Sequence, residues 1–596
     1  MVWLPSNQSE VERKILAEVS AEEAWRHVEH LSTLDKKSGT EGEREACRYI
    51  KEILDRYGVP VEIHQFDSLL SYPGSAQLRI LSPTVERRWI NCITHAFSGT
   101  TDADGVSGEL VYVEKLEDYK RLYVKGRITL TDMIPALNLP AKVRAAEECG
   151  AIGQIHTSGE NAIHEMIVSP IWGTPTPESA TRIPTLPVIS VGQDDGRYLK
   201  ELCGSQRVSV KLRTEAWVGW KRLNLPVATI RGSAEPERYV LVAGHFDSWY
   251  LGATDNATGN AFLIELARVL NKYRTDLRRS VKIAWWSGHS TGRYSGSTWY
   301  CDTFWIDLDR NCVAYINVDS PGVKGASVYE ARHMAEVSKL HMQSIRDVAG
   351  LEADSGHPGK SGDESFWGVG VPSLASRNML PENERASVGG SGGGWWWHTI
   401  DDTIDKADRD VLARDLRVDL TSILRLCNSL VLPMDFTAVS EQFLKILTDL
   451  KARAADRLDL SQLLDLVSGL RADAEALENY VGRLQEKCRG TKEEEIYARY
   501  GGLLRSVNDH LMRVSRDINP VLYTISGRFD QDPAVSTPML PGLQQITTLA
   551  TSNPESSEYK FLRTRLGRER NRASDALTHA RGRLHEAAQR VSVLLG

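Results

Sequence analysis

Apolar residues fall at helical spacing from Ala21 to Leu34 and from Glu43 to Tyr57, then alternate from Val59 to Phe66. The chain therefore opens on two helices and a strand. Between the helices, Lys37-Ser-Gly-Thr-Glu-Gly-Glu reads as a turn whose acidic residues suit a helix N-terminus. From about residue 100 to 215 the pattern shortens. Gly108–Val113 and Gly126–Thr131 read as strands, Ala141–Cys149 and the stretch around Tyr198–Leu202 as helices, and the whole as a compact, β-rich insertion. From about 220 to 430 strands and helices alternate, as in a mostly parallel sheet covered on both faces. Tyr239–Ala243, Val281–Trp286 and Val313–Val318 are the near-continuous apolar runs of strands buried on both sides. After Pro433 the pattern is helical. Phe443, Ile446, Leu447 and Leu450 form one stripe, and Leu460, Leu463, Leu464, Val467 and Leu470 another. Leu503–Ile518 and Ala573–Leu595 continue it, as a packing or dimerisation element does.

Composition narrows the class. At 596 residues the chain exceeds what one core serves, so two to four domains are expected. Apolar residues at 41% and charged residues at 25% are an ordinary globular balance. A net charge of −7 argues against a nucleic-acid or membrane-surface binder. The opening residues lack the charged n-region and apolar stretch of a signal peptide, and no run approaches the ~20 apolar residues of a spanning helix. Eight cysteines without a pairing rhythm read as reduced thiols of a cytoplasmic protein.

The chemistry gathers at strand ends. The first buried run leads into Gly244-His245-Phe-Asp247-Ser, followed by Gly252-Ala-Thr-Asp255-Asn256-Ala-Thr-Gly259. The third run ends Asn317-Val-Asp319, and downstream Gly392-Gly-Gly-Trp-Trp-Trp397-His398-Thr-Ile-Asp-Asp402-Thr places a histidine after a glycine run. A lone strand-end aspartate usually caps a turn, and a lone histidine is usually a hydrogen-bonded core or surface residue. Here four suitable groups fall at the expected edge of one sheet, where open α/β folds bind ligands. Imidazole and carboxylate donors suit zinc and related divalent ions.

In combination these motifs resemble the M28 metallopeptidase family. The likeness covers residues 30–95 and 220–430; the insertion looks like a protease-associated domain, and the tail resembles that of the transferrin receptor and glutamate carboxypeptidase II branch. The resemblance implies that Asp255 bridges two metal ions, with His245 and Asp319 completing one site and His398 belonging to the other. It also implies that Asp247 orients His245 and that the Asp255–Asn256 peptide is cis. The family's E-E-x-G-x-x-G-S motif, whose first glutamate is the general base and whose second is a ligand, is altered. The same place reads Ser287-Gly-His289-Ser290-Thr-Gly-Arg293-Tyr294-Ser-Gly-Ser297, with one extra residue and neither glutamate. His289 stands at the base position and Ser290 at the ligand position. The second site then keeps only Asp255 and His398, below the three protein ligands usual for catalytic zinc. One tight ion, most simply zinc, is expected at His245, Asp255 and Asp319, with the second weak or absent.

His289 can be base or acid, a ligand, a contact to a substrate carboxylate, or structural. Asp363 and Glu364 lie where the family has a substrate-side loop, and a solvated turn is the plainer account of them. Three other readings stay open. One is a metal-assisted lyase or hydratase acting on a small molecule. Another is a serine hydrolase with Ser290 in Gly288-His-Ser-Thr-Gly292 as nucleophile and Asp319 or Asp363 with His398 as partners. The third is a non-catalytic binding protein.

The sequence thus supports an α/β fold with a mixed, largely parallel sheet flanked by helices. Residues 1–98 and 218–432 form its M28-like catalytic domain, 99–217 a protease-associated insert and 433–596 a helical domain through which the chain forms a homodimer. The expected activity is metal-assisted hydrolysis of an amide or related C–N bond in a small molecule or short peptide. His289, Ser290 and Asp247 serve catalysis, while Tyr294, Arg293, Trp397, Asp363 and Glu364 contact substrate. The run Trp395–Trp397 is expected to wall the pocket.

Overall fold

The computed structural model describes residues 3–595 other than 6, 86, 135–137 and 594. Its organising element is a mixed sheet. In spatial order the strands are Asp354–Gly356, Val328–His333, Ser373–Met379, Cys312–Asn317, Glu235–His245, Arg279–Trp286 and Ser209–Ile230. Ser373–Met379, Cys312–Asn317, Glu235–His245 and Arg279–Trp286 run parallel, with antiparallel neighbours on both flanks.

The three apolar runs are these central strands, and burial on both faces explains their lack of alternation. Val240 and Val242 point into one core with the helix Thr258–Lys272, the N-terminal helices Ala21–Leu31 and Glu41–Arg56, and Arg409–Asn428. Tyr239, Leu241 and Ala243 point into a second core with Trp286, Tyr300, Leu308 and Phe366. At about 1.5–3 kcal/mol for each large aliphatic side chain removed from water, these two faces dominate the stability of the sheet.

Val61–Ser82 and Ser209–Ile230 are 22 residues each and pair antiparallel from Val61↔Ala228 to Ser82↔Ser209. They carry the chain from the main sheet into the insertion. Alternation reveals only the first third of the leading strand, because Ser68–Ser71 are buried in an unbroken run and the ladder then slips after Pro73. Inside the insertion Val106–Tyr112, Ile128–Asp132, Gly153–Thr157 and Val188–Val191 form parallel pairs, with the helices Leu139–Glu148 and Gln193–Ser205 interleaved. The segment is therefore α/β in character rather than chiefly β.

Beyond residue 433 come the helices Phe436–Ala454, Ser461–Lys487, Glu493–Tyr523 and Ser557–Val593. The stripe Leu463, Val467, Leu470, Ala474, Leu477, Val481 and Leu484 is buried, as its spacing requires. Arg516 anchors this segment to the sheet. Its buried guanidinium donates to the carbonyls of Leu308, Asp309, Cys312 and Gly370. None of the described helices is long and apolar enough to cross a membrane, and all eight cysteines are unpaired.

Candidate metal centre

Strand register assembles the ligands. Trp286 pairs with His245, and Asn317 pairs with Ala243, so Asp319 emerges two residues further on, beside His245. Asp255 comes from the loop before the helix Thr258–Lys272. Its glycines are fixed by space. Gly252 has φ +50°, and a Cβ there would lie 2.2 Å from the carbonyl of Asp255; a Cβ at Gly259 would lie 2.1 Å from Asn256 Oδ1. Asn256 then stitches the site together. Its Nδ2 donates to the carbonyls of His245 and Val318, and its Oδ1 accepts from the Ser320 amide. The Asp255–Asn256 peptide is cis.

His245, Asp255 and Asp319 each offer one ligand atom within 4.8 Å of the others. His245 Nε2 lies 2.9 Å from Asp255 Oδ1 and 3.7 Å from Asp319 Oδ1. Ligand bonds of about 2.0 Å at tetrahedral angles leave donor atoms about 3.3 Å apart, within this range. His245 Nε2 and Asp255 Oδ1 are buried and have no partner of hydrogen-bond geometry, so the donor set fits a small divalent cation. Burial alone would depress the His245 pKa, but Asp255 and Asp319 more than offset it and hold it well above the usual range. Burial likewise disfavours charge on Asp255, yet His245 and His398 hold its carboxyl well below the usual range.

The second oxygen of Asp255 faces the other way, 3.2 Å from His398 Nε2. His398 Nδ1–H donates to the Glu165 carbonyl at 2.6 Å, which leaves Nε2 free to bind. Asp402 holds this loop, accepting from the Thr254 amide, the Thr254 hydroxyl and the Asp255 amide.

Asp247 differs from the expectation. His245 Nδ1–H donates to the main-chain carbonyl of Asp247 at 2.8 Å, while the carboxylate lies 3.9 Å away. That carboxylate instead accepts from the amides of His289 and Ser290 and from the Ser38 hydroxyl. Asp247 thus orients His245 through its backbone and fixes the following loop through its side chain.

His289 faces a cavity of about 320 Å³ bordered by Asp255, Asp319, Ser290, Tyr294, Trp397 and His398. Its ring stacks on His245 at 3.7 Å and meets the edge of Tyr294 at 4.8 Å. Its Nδ1 lies 2.8 Å from Asp363 Oδ2. Asp363 is 1% exposed and does not border the cavity, so it is neither a solvated turn nor a substrate contact. Glu364 is also turned away, accepting from Trp367 Nε1 and the Ser373 hydroxyl, and burial pushes its pKa up to about 7. Arg293 reaches the cavity, but its guanidinium is committed to the carbonyls of Ile167 and Ala534. Of the tryptophan run only Trp397 borders the cavity. Trp396 is buried with Nε1 on the Thr254 hydroxyl, and Trp395 is exposed. Among the described residues the Ser290 hydroxyl has no histidine partner, and His398 faces Asp255, so the serine-nucleophile arrangement is absent.

Sequence reasoning missed the second half of the cavity. Arg377, Asn378, Ser387 and Gly389–Gly392 border it, and Arg377 has no ion-pair partner among the described residues. It also missed Glu43, which accepts from the Gly39 amide and the Ser287 hydroxyl beneath the site; burial and then Asp247 push its pKa up to about 8. No motif marks either group.

A mixed sheet with two carboxylates and a histidine converging beyond its parallel strands places a candidate divalent-metal site at the binding edge of an aminopeptidase-like fold. Residues 226–421, about a third of the chain, match peptidase family M28. A probable glutamate carboxypeptidase of Zea mays is 22% identical over 556 residues, covering 80% of this chain and 76% of its own. The mouse aminopeptidase NAALADL1 is 27% identical over 338 residues, covering 49% of this chain, which spans 43% of that protein. Among solved structures, a zinc aminopeptidase from Bacillus subtilis superposes with a TM-score of 0.53 at 18% identity, over 68% of this chain and 95% of its own.

Proposed function

We propose that this protein is a single-metal hydrolase that cleaves an amide or related C–N bond, with His289 as its proton carrier. The observation that carries the reading is the orphaned pair His245 Nε2 and Asp255 Oδ1, 2.9 Å apart and buried, with Asp319 beside them. Zinc suits one imidazole and two carboxylates. Bound there, it would supply a Lewis acid that polarises a substrate or water oxygen. His289 takes a proton from the attacking water as the C–O bond forms and the carbonyl opens, then gives it to the leaving nitrogen as the carbonyl re-forms and the C–N bond breaks. Tyr294 and Trp397 shape the cavity. Arg377, without a carboxylate partner among the described residues, favours a substrate bearing an anionic group. Ser290 adds no third protein ligand beside Asp255 and His398, so the second ion is weak or absent. The protease-associated character of residues 99–217 and a homodimer through the C-terminal helices belong to the same reading.

The test is elemental analysis of the full chain together with hydrolysis of a panel of carboxylate-bearing amides. The expected result is one tight ion per chain, lost in His245→Ala but kept in His289→Ala, which no longer turns over substrate. Two tight ions, or full activity in His289→Ala, would overturn the reading.

A further inference from the structure

We propose that Asp363 is a positioning residue that fixes His289 in its Nδ1–H tautomer and so presents a lone pair at Nε2 to the cavity. The function of that lone pair rests on the hydrolase reading above; the tautomer does not.

The argument begins with a chemical difference. A glutamate base needs no tautomer, because either oxygen accepts a proton. An imidazole has two unlike nitrogens, and the group bonded to one decides what the other can do. At His289 that group is Asp363, whose Oδ2 is 2.8 Å from Nδ1. Oδ1 of the same carboxylate accepts from the Ser297 hydroxyl at 2.7 Å. Ser297 in turn lies 2.8 Å from Ser365 Oγ, which accepts from Trp172 Nε1 at 2.8 Å. The carboxylate is thus held from behind by a buried hydroxyl chain. The ring stacks on His245 and meets Tyr294 in a T-shaped contact. A carboxylate only accepts, so Nδ1 must carry the proton, and Nε2 is left as the base. The proton that Nε2 takes from water returns to the leaving nitrogen, and Asp363 keeps its charge throughout. His289 and Asp363 lie 74 residues apart, in two loops that only the fold brings together.

The discriminating substitution is Asp363→Asn, which keeps size and shape. Ser297 donates to the oxygen on its side, so the new amide nitrogen faces Nδ1 and donates to it. The tautomer then reverses and Nε2 carries the proton. Long-range ¹H–¹⁵N correlation spectra of histidine-labelled full-length protein read this directly, with His289 identified by its loss in His289→Gln. The expected result is Nδ1–H in the parent and Nε2–H in Asp363→Asn, with metal content unchanged. Turnover of any cleaved amide should fall about 10²- to 10⁴-fold with KM within about twofold. His289→Ala/Asp363→Asn should be as inactive as His289→Ala alone, with the same metal content. An Nε2–H parent, or a reversed tautomer at undiminished turnover, would overturn the proposal. If no amide in the panel is cleaved, the hydrolase reading fails, and the tautomer still decides whether Asp363 orients the ring.

Discussion

The imidazoles of His245 and His289 lie face to face, with centroids 3.7 Å apart and planes 13° from parallel. One belongs to the metal cluster, and the other stands where the M28 motif has a glutamate. The stack puts the proposed proton carrier directly over a candidate metal ligand.

If the second site is lost as proposed, this placement makes the loss a matter of two side chains. Asp255 Oδ2 and His398 Nε2 still face each other at 3.2 Å, and Ser290 borders the same cavity. In His289→Glu/Ser290→Glu the metal content should therefore rise from one ion per chain to two, as elemental mass spectrometry will read. A count that stays at one would mean that Asp255 and His398 no longer share a site.

Asp402 holds the ligand loop without touching the cluster ligands' side chains. It bonds the Thr254 amide and hydroxyl and the Asp255 amide, and burial pushes its pKa up to about 7. Asp402→Ala frees those donors and lets Asp255 turn. Loss of such an outer partner typically costs about 10- to 100-fold in metal affinity. Competition against a chromophoric chelator should show a weakening of that size, with little change in folded content by circular dichroism.

Much of this site was legible because buried parallel strands write continuous apolar runs, and the residues just after them must face the sheet's binding edge. His245, Asp255 and Asp319 were found that way. His398 was found by its motif, since no strand precedes it directly. Asp363 was misread because its role depends on contact with a loop 74 residues earlier, and local sequence makes Ser-Gly-Asp-Glu look like a wet turn. Asp247 was half right: the family resemblance implies that it orients His245, and it does so through its own carbonyl rather than its carboxylate. The length of Val61–Ser82 was hidden by the unbroken buried run Ser68–Ser71 and by Pro73-Gly74, where the ladder slips without ending.

Away from the site, Asp419 makes a pH prediction. Its carboxylate accepts from the Ser376 hydroxyl at 2.6 Å, and burial pushes its pKa up to about 7. In the unfolded chain it ionises near 3.9. Between roughly pH 4 and 7 the folded state thus holds a proton that the unfolded state has released, and stability falls as pH rises through that window. Asp419→Asn removes this dependence and still accepts from Ser376. The difference in melting temperature between Asp419→Asn and the parent should grow from pH 5 to 7 and level off above, by scanning fluorimetry. A difference that is constant with pH would remove Asp419 as the source.

The loop around Ala534 has a consequence in time. Its amide donates to the Pro170 carbonyl of the insertion, and its carbonyl accepts from Arg293, beside the cavity. Three stretches far apart in the chain thus meet beside the cavity. The candidate ligands at 245, 255, 319 and 398 all leave the ribosome before Ala534, so the nascent chain holds its donor groups before Arg293 gains this support.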